Sequence, residues 1–213
     1  VDAVVGGIAE AIEETGQTHR TLFIVTSDNG AHWPAEQIDR FNHRANHDWR
    51  GQKADIHEGG HRVPFLARWP GKIMPGSSTD ALLSLTDLMA TSSALVGRTL
   101  QPDEGEDSIN QLPLLLGIDG ARSPRHSIIL HSSRGMFAIT RGRWKLIIGR
   151  GSGGFTRPHT ISPADGEATG QLYNLHDDPG EQRNLFLEHP DIVDELTAQL
   201  SGFRETGRSR PAY

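Results

Sequence analysis

The sequence contains no cysteine among its 213 residues. Disulfide bonds and a thiolate nucleophile are therefore both excluded. No run of apolar residues approaches the roughly 20 needed to cross a bilayer, so no association with a membrane is expected. Basic residues are also scarce, with 21 against 27 acidic residues and a net charge of -6. A nucleic-acid partner is not expected, because it would call for a basic patch.

The composition is that of an ordinary globular protein, with 35% hydrophobic and 23% charged residues. Apolar residues recur at helical spacing from Val1 to Ile12, which predicts an amphipathic helix that ends near Gly16. The apolar run Thr21–Val25 follows and predicts a strand buried on both faces, as in an α/β protein. Further elements predicted in this part are a buried strand at 63–69, a short strand at 81–85 and a helix at 87–96.

The pattern changes after residues 97–126, which glycine and proline punctuate. Short β-rich runs joined by tight turns predict an antiparallel meander, followed by a loop and a last amphipathic helix that opens at Pro190. The predicted strands are 127–131, 136–141, 143–148 and 171–175, and the predicted loop is 150–170. The chain is therefore divided into a first domain over residues 1–122 and a small α+β domain over 123–213.

One polar stretch, Thr26-Ser-Asp-Asn-Gly30, comes directly after the first predicted strand. In open α/β sheets, ligands bind at the carboxyl ends of the strands. Asp28 and Asn29 offer a carboxylate and an amide oxygen, which are hard ligands suited to calcium or magnesium. The alternative is that Asp-Asn-Gly only makes a turn.

A second stretch carries Arg50-Gly-Gln-Lys53, then Glu58-Gly-Gly-His-Arg-Val-Pro64, then Trp69-Pro-Gly71. Together with Ser27-Asp-Asn-Gly30, this ordered series resembles the sulfatase family. The resemblance continues through Trp144-Lys-Leu146, Leu172-Tyr-Asn-Leu175 and Asp178-Pro-Gly-Glu181, which are similar to the small C-terminal subdomain of sulfatases, and so it covers nearly the whole chain.

The resemblance implies an alkaline phosphatase-like α/β sandwich with a mostly parallel sheet, followed by a small subdomain of antiparallel sheet and helix. It implies that Asp28 and Asn29 bind the metal, calcium or possibly magnesium, and that Lys53 is catalytic and binds a sulfate oxygen of the substrate. The expected substrate is a sulfate ester, either an aryl sulfate or a sulfated carbohydrate, and the family points to a periplasmic or secreted location. The alternative for Lys53 is an ordinary surface lysine.

One part of the family's machinery is missing from this sequence. Sulfatases use a formylglycine made from the first residue of a Cys/Ser-x-Pro-x-Arg motif, and no such motif occurs here. The chain therefore resembles the C-terminal part of a sulfatase, and is expected to be inactive alone because the nucleophile lies outside it. A sheet truncated in this way would expose an apolar edge or face, so self-association is also expected.

Two other functions stay open. A phosphate- or phosphonate-ester hydrolase of the same superfamily is one, although the Asn29 position is commonly His there. A non-catalytic module that binds sulfated glycans is the other. His32, His43, His47 and His57 are candidates for substrate contact, and the His43–His47 spacing is a weak indication of zinc. Glu58 and Arg62 are predicted to form a buried ion pair that braces the intervening turn.

Overall fold

A computed structural model of the chain describes residues 1–118 and 122–211. The helices are α1 (Asp2–Glu14), α2 (Ala35–Phe41), α3 (Glu58–His61), α4 (Asp87–Leu95), α5 (Leu112–Leu115) and α6 (Pro190–Thr206), with a 3-10 turn at Thr18–Arg20. The strands are β1 (Phe23–Thr26), β2 (Phe65–Arg68), β3 (Ser127–His131), β4 (Phe137–Arg141), β5 (Trp144–Ile147) and β6 (Gln171–Asn174). In the part of the chain so described, no helix combines the length and apolar character that a membrane crossing requires.

The chain forms two compact units that do not follow the order of the sequence. The first contains Val1–Ser27 and Pro64–Arg125, and the second contains Asp28–Val63 and His126–Pro211. Asp28, Asn29 and Lys53 therefore all belong to the second unit, which is assembled from two separate pieces of chain. The predicted domain limits, 1–122 and 123–213, stay a prediction.

In the first unit, β1 and β2 form a two-stranded antiparallel sheet in which Phe23 is opposite Arg68 and Thr26 is opposite Phe65. Both strands were predicted to be buried, but neither contains a buried residue, and Leu66 is 64% exposed. The inference that Asp28 follows a parallel strand also differs from the structure, because the partner that β1 has in this chain is antiparallel. An apolar run indicates that a strand can be buried, but it does not indicate which strands lie beside it.

The helices α1 and α4 agree with their predicted positions, whereas two other predictions in this part of the chain were wrong. Residues 31–52 were expected to be irregular, yet α2 lies within them and ends at Asn42, whose backbone is left-handed (φ 47°). The strand predicted at 81–85 does not form, since residues 81–84 have no regular structure. Helix α2 has only seven residues and the segment 81–85 only a few, and periodicity does not reliably assign segments this short to helix, strand or loop.

In the second unit, β3, β4, β5 and β6 form a four-stranded antiparallel sheet in sequence order, which confirms the predicted meander. Helix α6 covers one face of this sheet, as its apolar spacing predicted. It begins at Pro190 and ends at Gly207, which has a left-handed φ of 68°. The core on this face consists of Ile139, Leu146, Leu172, Val193, Leu196 and Leu200.

The opposite face of the same sheet is covered by the segment that carries the sequence motifs. Neighbouring residues along a strand point to opposite faces. Leu146 and Leu172 face α6, whereas Ile147 and Tyr173 pack with Ile56 in a separate buried cluster. Residues 50–62, which include Lys53, thus pack on the face of the sheet opposite α6.

Candidate active site

Asp28 and Asn29 follow β1 directly, and their side chains touch. The Asn29 side-chain amide donates to Asp28 Oδ1 over 2.6 Å, and Asp28 is exposed. The next residue, Gly30, is buried, and its N–H donates to the Gly60 carbonyl over 2.9 Å. A Cβ atom at Gly30 would lie 1.8 Å from the Gly59 carbonyl oxygen, so only glycine fits here. The backbone immediately after the metal-ligand candidates is therefore held against α3.

The Gly59-Gly60 pair allows a second close approach of backbone to backbone. The Gly59 N–H donates to the Arg50 carbonyl over 2.7 Å. A Cβ at Gly59 would lie 2.4 Å from the Gly51 oxygen, and one at Gly60 would lie 2.3 Å from the Asp55 oxygen. The backbone of α3 thus contacts the segments that precede Lys53 and follow it.

Lys53 is joined to the Asp28–Asn29 segment through its backbone. Its N–H donates to the Ala31 carbonyl over 3.1 Å, and the Asn46 side chain exchanges two hydrogen bonds with Ala31, each of 2.9 Å. The Lys53 side chain is exposed, although Gln52 and residues 55–60 are buried. The structure therefore places the three predicted residues in one unit and presents the lysine to solvent from a fixed backbone.

Asp55 is a residue whose importance the sequence did not reveal. It is fully buried, and its carboxylate accepts from the Gln52 N–H and from the Thr156 N–H, each over 3.0 Å. The Thr156 hydroxyl donates to the same carboxylate over 2.5 Å. Asp55 therefore fastens the residue before Lys53 to the loop at 150–157, which lies about a hundred positions later in the chain.

A second buried polar cluster ties α3 to the sheet. The fully buried Lys145 ammonium lies 2.9 Å from Glu58 Oε1 and 2.9 Å from Glu181 Oε1, and Glu181 Oε2 accepts from the Glu58 N–H over 2.6 Å. The contact with Glu181 is an ion contact and not an aligned hydrogen bond. Burial raises the pKa of Glu181 above its ordinary value, and the charge of Lys145 opposes that rise.

The predicted buried pair of Glu58 with Arg62 needs correction. Those charges are 3.5 Å apart, but the Arg62 side chain is 51% exposed. Its guanidinium lies over the Trp49 ring, 5.0 Å from the centroid. The buried partner of Glu58 is Lys145, which the prediction missed because it lies 87 positions away on β5.

The motif residue Arg50 also has a structural role. Its guanidinium donates to the Tyr173 hydroxyl over 3.0 Å and to the Glu181 carbonyl over 2.9 Å. The Tyr173 hydroxyl in turn donates to the Gln171 side-chain oxygen over 2.9 Å, and burial raises the pKa of Tyr173. Arg50 thus binds the start of the Lys53 segment to β6.

The candidate histidines separate by exposure. His57 is 1% exposed, so it lies inside the protein and not where a substrate could contact it. His32, His43 and His47 are exposed. Within residues 1–118 and 122–211, no group of three or more His, Cys, Asp or Glu side chains could hold a metal ion, so zinc at His43 and His47 gains no support.

The burial of His57 gives a prediction for the pH dependence of folding. Burial, and then the charges of Arg50 and Lys145, lower the pKa of His57 to about 3, while its hydrogen bond with Gln171 opposes this shift. Below pH 6.5 His57 becomes protonated in the unfolded chain but stays neutral in the folded chain. We therefore expect the free energy of unfolding to fall as the pH drops from 6.5 towards 3, by up to about 1.4 kcal/mol per pH unit.

Urea unfolding of the chain and of a His57→Gln variant between pH 4.5 and 7.5 measures this effect. The variant should show a shallower decline on the acid side, and the exposed His126→Gln should behave like the parent. His61, whose pKa burial lowers to about 4, contributes in the same direction and is common to all three proteins. Parallel curves for the parent and His57→Gln would contradict the prediction.

The residues at the candidate metal site suit a hard cation. Asp28 and Asn29 each carry a side-chain oxygen, and the contact between the two side chains is made by the Asn29 amide nitrogen. Calcium requires six to eight oxygen ligands, so a calcium site that included these two residues would take most of its ligands from other groups.

Comparison with known proteins identifies the class to which this architecture belongs. A family model described as "Sulfatase" matches residues 1–98. The chain is 32% identical over 209 residues to an N-acetylgalactosamine-6-O-sulfatase of Bacteroides thetaiotaomicron, covering 96% of this chain and 40% of that protein. It is 36% identical over 196 residues to human arylsulfatase A, covering 87% of this chain and 37% of that protein. The chain thus spans about two fifths of the length of these relatives.

Solved structures agree with this comparison. A Bacteroides thetaiotaomicron protein described in connection with the metabolism of multiple glycosaminoglycans superposes with a TM-score of 0.77 and 31% identity, covering 94% of this chain and 42% of its own. The likeness defines the class as an alkaline phosphatase-like α/β fold with a small antiparallel-sheet-plus-helix subdomain. The chain belongs to the sulfatase family.

Proposed function

We propose that this chain is the C-terminal portion of a metal-dependent sulfatase that hydrolyses sulfate esters. The observation that carries the proposal is Lys53, whose exposed ammonium stands on a backbone bonded to the segment of Asp28 and Asn29. Hydrolysis of a sulfate ester places negative charge on the sulfuryl oxygens and on the leaving oxygen. A fixed cationic side chain aimed at those oxygens stabilises this charge, because no reorganisation is needed during the reaction.

Asp28 and Asn29 would hold the cation in this proposal, and calcium fits their oxygen atoms, with magnesium as the alternative. A bound divalent cation would add electrostatic stabilisation of the sulfate group. The chain's own contribution is to keep both oxygen donors beside α3 through the Gly30–Gly60 hydrogen bond. Further ligands and the formylglycine nucleophile would come from outside these 213 residues.

The proposed substrate is a sulfated carbohydrate or an aryl sulfate. One relative is an N-acetylgalactosamine-6-O-sulfatase and another is an arylsulfatase, so both kinds of leaving group occur among proteins similar to this chain. The two alternatives share a six-membered ring close to the esterified oxygen, which is bonded to the ring itself in an aryl sulfate and to the exocyclic C6 in a 6-O-sulfated sugar.

The chain purified by itself is expected to release no product from 4-nitrophenyl sulfate in the presence of calcium. The physical reason is that cations stabilise a transition state but do not replace the covalent nucleophile of the family. The measurement compares this chain with the full-length protein on 4-nitrophenyl sulfate, with 4-nitrophenyl phosphate as the control for a phosphate-ester hydrolase. Activity of the full-length protein on the sulfate ester, and none from the chain, is the expected result.

Calcium-dependent release by the chain alone would overturn this proposal, provided that it follows the protein through purification and is abolished by Asp28→Ala. A full-length protein that prefers the phosphate ester would assign the alternative function.

We also propose that the isolated chain self-associates through the open β1–β2 sheet, on which Leu66 is exposed. Gel filtration during purification would measure this association.

A further inference from the structure

Phe155 has an exposed aromatic ring, although the residues on both sides of it are fixed by contacts with the rest of the unit. Its side chain is 50% exposed, whereas Gly154 and Ser152 are buried. A Cβ at Gly154 would lie 2.3 Å from the Ala54 oxygen, so the backbone before Phe155 presses against the residue after Lys53. On the other side, Thr156 is bound to Asp55 through its N–H and its hydroxyl. The exposure of the ring is therefore fixed by the backbone and is not that of a loose loop.

The ring and the Lys53 ammonium are carried by two backbones that meet at one buried carboxylate. Asp55 Oδ2 accepts from the N–H of Gln52, the residue before Lys53, and Asp55 Oδ1 accepts from the N–H of Thr156, the residue after Phe155. Because the carboxylate is fully buried, its two oxygen atoms hold a constant spacing between these segments. The backbones beside Phe155 and Lys53 are thus joined through Asp55.

The same ring contacts the segment that contains Asn29. The rings of His32 and Phe155 meet edge to face, with centroids 5.6 Å apart and planes at 76°. His32 lies three residues after Asn29 and is exposed. An aromatic surface of two side chains therefore borders the candidate active site, one from each piece of the second compact unit.

We propose that Phe155, with His32 at its edge, forms the subsite that receives the ring of the leaving group. This inference rests on the proposed function. A sulfate ester of a sugar or a phenol presents a polar sulfate, which would face Lys53, and next to it a six-membered ring with an apolar face. An exposed aromatic ring on a backbone that Asp55 ties to the backbone before Lys53 supplies the matching surface. Phe155 and His32 would thus determine specificity for ring-bearing esters.

The test uses the full-length protein and three variants, with 4-nitrophenyl sulfate and 6-O-sulfated N-acetylgalactosamine as substrates. For Phe155→Ala we expect kcat/KM to fall roughly tenfold, mainly through a higher KM, because the contact with the ring exists before and during the reaction. Phe155→Tyr keeps the ring and should retain activity. Leu187→Ala removes another exposed apolar side chain of the same unit, 64% exposed, and should change neither constant.

A loss for only one substrate supports the subsite and identifies the ring that it takes. An unchanged KM for both substrates in Phe155→Ala overturns the inference, as does a fall in kcat and thermal stability that Phe155→Tyr does not rescue. Saturation-transfer NMR with the sulfated sugar separates this inference from the proposed function. Contact with the ring protons that is lost in Phe155→Ala upholds the subsite even in a protein without turnover, and no contact in the parent overturns it.

Discussion

Replacement of Lys53 by alanine in the full-length protein is expected to lower kcat for sulfate-ester hydrolysis by roughly a hundredfold or more, the usual effect of removing one preorganised charge partner. The fold should not change, because the Lys53 side chain is exposed and its structural contact is made by the backbone N–H, which alanine keeps. KM should change less than kcat, since the ammonium acts mainly on charge that develops in the transition state.

The matched control for this experiment is Lys72→Ala. Lys72 is also exposed and belongs to the first compact unit, whereas Lys53 belongs to the second. The comparison of kcat for both variants, with thermal unfolding to verify the fold, decides the role of Lys53. Turnover of Lys53→Ala within twofold of Lys72→Ala, a margin of about 0.4 kcal/mol, would return Lys53 to the class of ordinary surface lysines.

Lys145→Met is expected to lower the free energy of unfolding by about 3–5 kcal/mol, the usual cost of removing one partner from a buried ion pair. The methionine has a similar volume, so the loss arises from leaving Glu58 and Glu181 without their cation. Without Lys145 the pKa of Glu181 should rise further above its ordinary value, since the lysine charge is the largest effect that opposes burial there. Protonation of Glu181 then removes its unpaired buried charge. The loss in the free energy of unfolding of Lys145→Met should therefore be smaller at pH 5 than at pH 8.

Urea unfolding at both pH values measures this deficit. Glu195→Gln is the control, because Glu195 forms an ion pair of 2.7 Å with Arg141 in the same unit, in which both side chains are partly exposed. Its effect should stay below about 1 kcal/mol. A deficit in Lys145→Met no larger than that of the control would show that the buried cluster contributes little to stability.

The sequence was sufficient for the features that short-range patterns encode. The meander and the apolar face of α6 followed from local periodicity. The role of Lys53, inferred from the motif around it, stays a prediction. The contacts that hold Lys53 could not be predicted in the same way. The partners of Asp55 and Glu58 are separated from them by 101 and 123 positions, and nothing local identifies them.

Burial was the other quantity that the sequence did not determine. His57 looked like a candidate for substrate contact, but the four-stranded sheet covers it through Gln171 and Tyr173. The run at β1 looked fully buried, yet it has one partner strand in this chain. Hydrophobicity indicates what a segment tolerates, whereas its actual neighbours depend on parts of the protein that are distant in sequence.

The buried cluster around Lys145 also determines when the candidate site can form during synthesis. The Arg50 guanidinium and the Glu58 N–H both bind Glu181, across 131 and 123 positions. A ribosome makes the chain from residue 50 towards residue 181, so the Lys53 segment leaves the exit tunnel long before the partners that fix it. Among the described residues, the first compact unit extends no further than Arg125, so it has no such dependence. The lysine segment therefore stays without these fixing contacts for as long as translation of the intervening residues takes.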